Sequence, residues 1–231
     1  MMNPAAVLPW YLLRNARVLP NRMDILPLLP KGGIIAEIGV MTGIFSRHLL
    51  DYCQPKLFYA LDLFDIHTLP EVWGKPTSEV FDGLTHQGFY ERTFAREIAA
   101  GRMKVLAGDS HAMLEHIPDA SLDVAYIDAD HTYPAVAGEL RLCAKKLKPE
   151  TGLIIVNDYV MVDSLYGGNA PYGVIQATND FMIEQGWEMV AFVLQDYMFC
   201  DVILRKLPRS RFRRIMQRIA LNAGYRKLGR F

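Results

Sequence analysis

Two short runs of this chain carry more donor atoms than a turn needs. Tyr126-Ile-Asp-Ala-Asp-His-Thr-Tyr133 places two carboxylates and an imidazole in one turn, and Ile155-Val-Asn-Asp-Tyr159 adds an amide and a further carboxylate. Each follows a short apolar run that reads as a buried strand, so both groups stand at strand ends. Asp130 or Thr132 is expected to cap the next helix, with Pro134 in its first turn. Capping leaves Asp128 unexplained. Asp128, Asn157 and Asp158 on neighbouring strand ends would form a three-oxygen set suited to a hard divalent cation such as Mg2+, completed by water and substrate oxygens. His131 is a candidate catalytic base, since an unperturbed imidazole titrates at about pH 6.5. A structural bond to a nearby carboxylate is the alternative for His131.

A third run, Ile34-Ile-Ala-Glu-Ile-Gly-Val-Met-Thr-Gly-Ile-Phe-Ser46, joins an apolar strand to a helix through Gly39, Val40 and Gly43. Glycines there permit close backbone approach to a ligand, and the helix start offers free N–H groups. A dinucleotide site would need Gly-x-Gly-x-x-Gly, and the spacing Glu37-x-Gly39-x-x-x-Gly43 fails that test. It resembles the first motif of class I S-adenosylmethionine-dependent methyltransferases. The resemblance makes Glu37, Gly39, Val40 and Gly43 expected cofactor residues. It is strengthened by Asp62 after the second strand, where a carboxylate accepts from ribose hydroxyls. Asp109 and Ser110 after the third strand match the adenine-recognising position, and Asp128 borders the same cleft. Read singly, each of these acids is an ordinary strand-end turn residue.

The strand-four and strand-five runs resemble a narrower branch, the metal-dependent small-molecule O-methyltransferases of catechol, caffeoyl-CoA and macrocin type. By that resemblance Asp128, Asn157 and Asp158 are metal ligands and Asp130 the base. One position departs: the sugar-modifying group has two acids after strand five, whereas this chain has Asn157 first. The chemistry implied is deprotonation of a hydroxyl, helped by a bound cation that lowers its pKa, followed by in-line attack on the sulfonium methyl. The Asn/Asp-Pro-Pro-aromatic sequence of base-methylating enzymes is absent after strand four, which argues against adenine or cytosine N-methylation.

Positioning these groups requires an α/β sheet. Strands are expected at 34–38, 57–61, 103–106, 124–127 and 153–156, with helices at 44–53, 89–100, 111–116, 134–147 and 172–185 between and after them. Runs 189–194 and 199–204, joined by Gln195-Asp-Tyr-Met198, demand an antiparallel pair. The fold class is thus a doubly wound, mostly parallel seven-stranded Rossmann-like sheet with an antiparallel last strand. The division expected is a helical extension over 1–30, the methyltransferase domain over 31–204 and a basic tail over 205–231. Residues 64–88 form a long loop rich in Pro and Gly. Trp73, Phe81, Phe89 and Tyr90, in or beside it, either line an acceptor pocket or simply pack, and Tyr166–Gly173 would form one wall.

Composition narrows the class further. The chain has 231 residues, 25 basic and 25 acidic, with 51% hydrophobic content and three cysteines, Cys53, Cys143 and Cys200, in no ligand or disulfide spacing. A reducing, cytoplasmic setting is expected, with no signal peptide and no membrane span. The charge is divided. From Arg205 to Phe231 there are ten Lys or Arg and no acid, leaving 15 basic against 25 acidic residues elsewhere. The tail's apolar residues recur at helical spacing, so it reads as a basic amphipathic helix. It either packs on the acidic body or meets an anionic membrane surface or acidic partner. Nucleic acid is not the expected partner. The expected cofactor is S-adenosylmethionine, with Mg2+ as the candidate ion and a small molecule or glycan as acceptor. The rivals are an enzyme of the same fold that uses the cleft differently, and a catalytically diverged scaffold acting through its tail.

Overall fold

A computed structural model describes residues 4–163 and 170–208. The basic segment 209–231 and half of the Tyr166–Gly173 wall lie outside the described residues, so neither expectation is tested.

Among the described residues the centre is an eight-stranded sheet. Its strands are β1 (Arg17–Leu19), β2 (Ile34–Ile38), β3 (Leu57–Asp62), β4 (Met103–Ala107), β5 (Val124–Ile127), β6 (Leu153–Val156), β7 (Trp187–Val193) and β8 (Asp201–Lys206). They lie in the order β1-β7-β8-β6-β5-β2-β3-β4. β8 is antiparallel to both β6 and β7, while the remaining neighbours are parallel. The helices used below are α1 (Ile44–Cys53), α2 (His86–Thr93), α3 (Ser110–Leu114), α4 (Tyr133–Lys146) and α5 (Val174–Gln185).

Strand periodicity divides the sheet's side chains between two apolar layers. Ala36, Ile38, Leu61, Ala125, Ile127, Ile154 and Val156 join the cluster that holds Leu140 and Cys143 of α4 and Phe181 of α5. Ile35, Phe58, Ala60, Val124, Tyr126 and Ile155 join Leu49, Leu50 and Cys53 of α1 on the other side. Because β2, β5 and β6 are covered on both faces, they read as continuous apolar runs. All the cysteines at 53, 143 and 200 are buried and free. Among the described residues no helix is long and apolar enough to cross a membrane.

The expected fold class holds, with three local corrections. The N-terminal extension is not helical throughout. Only Trp10–Leu13 forms an α-helical turn; Arg17–Leu19 then adds β1 as an eighth, parallel edge strand, and Arg22–Leu28 is a 3-10 turn. Residues 64–88 are not a bare loop, since Glu71–Val72 and Lys75–Pro76 pair as a small hairpin followed by the helix Thr77–Val80. The helix expected at 89–100 begins at His86 and breaks at Phe94, whose φ of −110° and ψ of 23° separate it from Ala95–Ala99. The buried Phe94 ring explains the break: it packs 4.5 Å from Tyr90, against the start of α1.

Candidate functional site

At the end of β2 the chain makes the tight turn that the glycines announced. Gly39 has φ 84° and Gly43 φ 81°, both in the left-handed region. The close approach that requires them is internal to the protein. A Cβ on Gly39 would lie 1.9 Å from the Asp128 carbonyl oxygen, and one on Gly43 would lie 2.4 Å from the Phe94 ring. The β2 loop is therefore pressed against the end of β5, which places the expected cofactor loop beside the strand-end cluster.

Asp62, at the end of β3, fastens this loop. Its Oδ2 accepts from the Val40 N–H at 2.8 Å and the Met41 N–H at 3.3 Å, and its Oδ1 accepts from the Phe64 N–H at 2.8 Å. A carboxylate has about four lone-pair sites, so capacity remains for a ribose hydroxyl. Met41 itself takes a positive φ of 46°. Its carbonyl oxygen is 2.8 Å from Nε2 of His86, so that nitrogen is the donor and Nδ1 is left bare, 3.9 Å from Asp62 Oδ1. The His86 ring is buried between Phe64 and Phe81, with centroids 4.9 and 4.7 Å away. No local spacing in the sequence marks His86, because its partner lies 45 residues earlier.

Glu37 does not face the cleft. Strand alternation puts it on the same side as Ile35, beneath α1, where it is 2% exposed and accepts a short hydrogen bond from Ser46 Oγ. Tyr90 donates to the same Ser46 oxygen at 2.9 Å. Burial pushes the Glu37 carboxyl up to about 8 despite the Ser46 bond. Its role is to hold α1 against the sheet, and Tyr90 and Phe81 are core residues rather than pocket lining. Trp73 by contrast is exposed.

Asp109 is exposed and caps α3 by accepting from the Ala112 N–H at 3.0 Å. Ser110 turns inward and donates to Glu139 Oε1 at 2.6 Å. Glu139 of α4 is fully buried, and burial raises it to about 7. No local pattern marks this buried acid, which lies on the apolar face of an ordinary amphipathic helix.

The second group gathers at the ends of β5, β6 and β8. Asn157 Nδ2 donates to Asp128 Oδ1 at 2.8 Å, and Asn157 Oδ1 accepts from the Tyr126 hydroxyl at 3.1 Å. The same amide oxygen accepts a short bond from Nη2 of Arg22, which comes from the 3-10 turn before β2. Arg22 Nε also donates to Asp201 Oδ2 at 3.1 Å, and Asp201, at the start of β8, has no exposure. Burial opposes the Arg22 charge, but Tyr126, Asp201 and Asp128 outweigh it and raise its pKa. Burial raises Asp201 to about 7 against the pull of Arg22. Burial first, then the neighbouring Asp158 carboxylate, push Asp128 well above the usual carboxylate range.

His131 joins this group. Its ring stacks on Tyr172 at 4.3 Å with 6° between planes, and Nε2 lies 3.5 Å from Asp158 Oδ2 and 3.8 Å from Asp128 Oδ1. Nε2 is buried and has no hydrogen-bond partner. Burial lowers the His131 pKa against the opposing pull of Asp158 and Asp130. Asp158 takes a positive φ of 49°, which turns it toward the imidazole, and burial raises its carboxyl. Asp130 is exposed and accepts from the Thr132 N–H at 2.7 Å. It closes the turn into α4, whose N-cap position is Thr132, without a side-chain cap bond from that residue.

The expected metal set does not fit a divalent ion. The only oxygen of the Asn157 side chain is engaged by a guanidinium and a phenol, and its nitrogen is turned to Asp128. Among the described residues no group of three or more His, Cys, Asp or Glu is arranged to hold a metal ion. Asp128, Asn157 and Asp158 do meet, as their strand ends require, but around an arginine.

Comparison with known proteins agrees with the fold. A methyltransferase-domain family model matches residues 36–159, from the middle of β2 to just past β6. No curated protein matches the sequence. Among solved structures, the pyocyanin biosynthetic protein PhzM is 14% identical with a TM-score of 0.52, over 80% of this chain and 54% of its own; this chain thus spans about half its length. Aeropyrum pernix fibrillarin with natively bound S-adenosylmethionine is 14% identical at a TM-score of 0.52, covering 76% of this chain and 67% of its own. An rRNA methylase from Streptococcus thermophilus is 12% identical at 0.53, covering 80% and 94%. These likenesses show a shared fold, the S-adenosylmethionine-dependent methyltransferase fold. The family match covers more than half of the chain, which therefore belongs to the methyltransferase-domain family.

Proposed function

We propose that this protein methylates a hydroxyl of a small-molecule or sugar acceptor, with S-adenosylmethionine as donor. The observation that carries the reading is the buried, unpartnered Nε2 of His131 beside Asp158, on a strand end pressed against the glycine loop of β2. Asp62 and the backbone of Gly39–Gly43 are the groups that would hold the cofactor, and Asp109 stands exposed at the edge where an adenine amino group would reach it. When bound, S-adenosylmethionine supplies an electrophilic methyl on a sulfonium.

The residues divide the remaining work. With its pKa lowered, His131 is neutral at physiological pH and takes the acceptor's hydroxyl proton on Nε2. The deprotonated oxygen would then be free to accept the methyl group, the C–S bonding pair leaving with the thioether product. Asp158 stabilises the imidazolium that results and fixes the ring against Tyr172. No step is assigned to a metal.

The test has two readouts. Calorimetry should detect S-adenosylmethionine binding to the intact chain, and a radiolabelled methyl group should pass to a hydroxylated acceptor in a screened panel. His131→Gln should abolish transfer and leave cofactor binding intact. No binding to the intact chain refutes the cofactor assignment; transfer that survives His131→Gln refutes the base.

A further inference from the structure

Asp128, Asp158 and Asp201 bring three carboxylates to adjoining strand ends, with the amide of Asn157 between them. Such a cluster needs a counter-charge, because an unpaired carboxylate is costly away from water. The chain supplies one itself. Arg22 enters from the N-terminal segment between β1 and β2, and its guanidinium reaches Asp201 through Nε and Asn157 through Nη2. It lies 5.5 Å from the Phe45 ring centroid, and Asn21 beside it accepts from the Met23 N–H at 2.9 Å, fixing the turn that aims it inward.

We propose that Arg22 is the resident cation of this site, taking the place that the O-methyltransferase pattern gives to a divalent metal. The inference rests on the hydroxyl-methylating reading above. Asn157 fits this role where an acid would not: a neutral amide accepts from the guanidinium with Oδ1 and donates to Asp128 with Nδ2, joining the two charges. The departure from two acids after strand five is therefore matched by the arginine. A second acid and a metal would go together; an amide and an arginine go together here.

Arg22 has a further use. Its hydrogen bonds use Nε and Nη2, which leaves the Nη1 donors for a further acceptor, and its side chain is 28% exposed. A guanidinium stays charged at any working pH and directs its donors in a fixed fork. Nη1 would hold the acceptor oxygen while His131 removes its proton, stabilising the negative charge that develops before the methyl is attacked.

Mn2+ serves as the probe for the metal reading, because its binding is read directly by electron paramagnetic resonance. The intact chain should take up no Mn2+ at this cluster, and excess EDTA should leave transfer unchanged. Arg22→Gln should lower kcat by about 100-fold, the scale of losing one oriented donor to a developing oxyanion, with cofactor affinity unchanged. The double variant Arg22→Gln/Asn157→Asp should acquire Mn2+ binding, lost again on adding Asp128→Asn. Tight Mn2+ uptake by the intact chain that Asp128→Asn removes, or transfer abolished by EDTA, overturns the proposal. If the double variant does not fold, the intact chain's metal titration decides alone. Failure of S-adenosylmethionine to bind would instead refute the underlying reading, and the metal titration, which needs no turnover, separates the two.

Discussion

Replacing Asp62 with Ala should weaken cofactor binding mainly by releasing the β2 loop. The carboxylate holds three backbone N–H groups, those of Val40 and Phe64 at 2.8 Å and that of Met41 at 3.3 Å. A hydrogen bond to a charged acceptor contributes about 1.5–3 kcal/mol, but water can reach this partly exposed turn and replace some of it. Two good bonds and one long one then leave a net loss of about 2–3 kcal/mol, divided between the free protein and its complex. If most of it falls on the complex, the Kd rises roughly 30- to 150-fold. Asp62→Asn keeps one oxygen, which can serve either the Val40 or the Phe64 side, so its loss should be intermediate. Calorimetric titration with S-adenosylmethionine and with an analogue lacking the ribose hydroxyls separates loop from ligand contact. A loop effect weakens both compounds in the alanine variant; a pure ribose contact weakens only the natural one. Unchanged Kd and unchanged melting temperature in Asp62→Ala would refute the reasoning altogether.

Further predictions follow from the same contacts. Arg22→Ala leaves Asp201 buried without its partner and should cost about 3–5 kcal/mol in urea unfolding, most of it recovered by adding Asp201→Asn; a loss below about 1 kcal/mol would show the pair to be solvated. The rate of transfer should fall on the acid side only below about pH 6.5, the ordinary histidine value, because burial depresses His131 and protonation removes the base; an acid limb centred above that value counts against it. Glu37 binds its proton more tightly folded than unfolded, so its contribution is complete below the ordinary glutamate value of 4.5 and is lost as pH rises through about 8. Glu37→Gln should therefore flatten the decline of stability across that window, and an unaltered pH–stability curve would place the carboxyl in water. A chain ending after Pro208 should fold and bind cofactor as the full chain does, since β8 is complete at Lys206 and Leu207 N–H already bonds the Gly186 carbonyl at 2.9 Å. Loss of cooperative melting on that truncation would show that 209–231 is part of the core.

Much of the architecture was legible in the sequence because it is written in short windows. Apolar runs of four or five residues, the glycines at 39 and 43 and the polar strand ends at 62, 109, 128 and 157–158 are local signals, and a buried parallel strand followed by a helix has few alternatives. The antiparallel last strand was equally forced, since so short a link between β7 and β8 permits no crossover. What tertiary structure alone decided is the partner of each group. Strand parity turned Glu37 under α1, and loop packing brought His86 to the Met41 carbonyl. The pairing of β1 with β7 placed the N-terminal segment beside the strand ends, which carried Arg22 to Asn157 and Asp201, residues 135 and 179 positions away. An arginine in a proline-broken lead-in has no periodic or spacing signal of its own. Its meaning is set by which buried carboxylates lack a counter-charge, and that balance exists only once distant strand ends have been brought together.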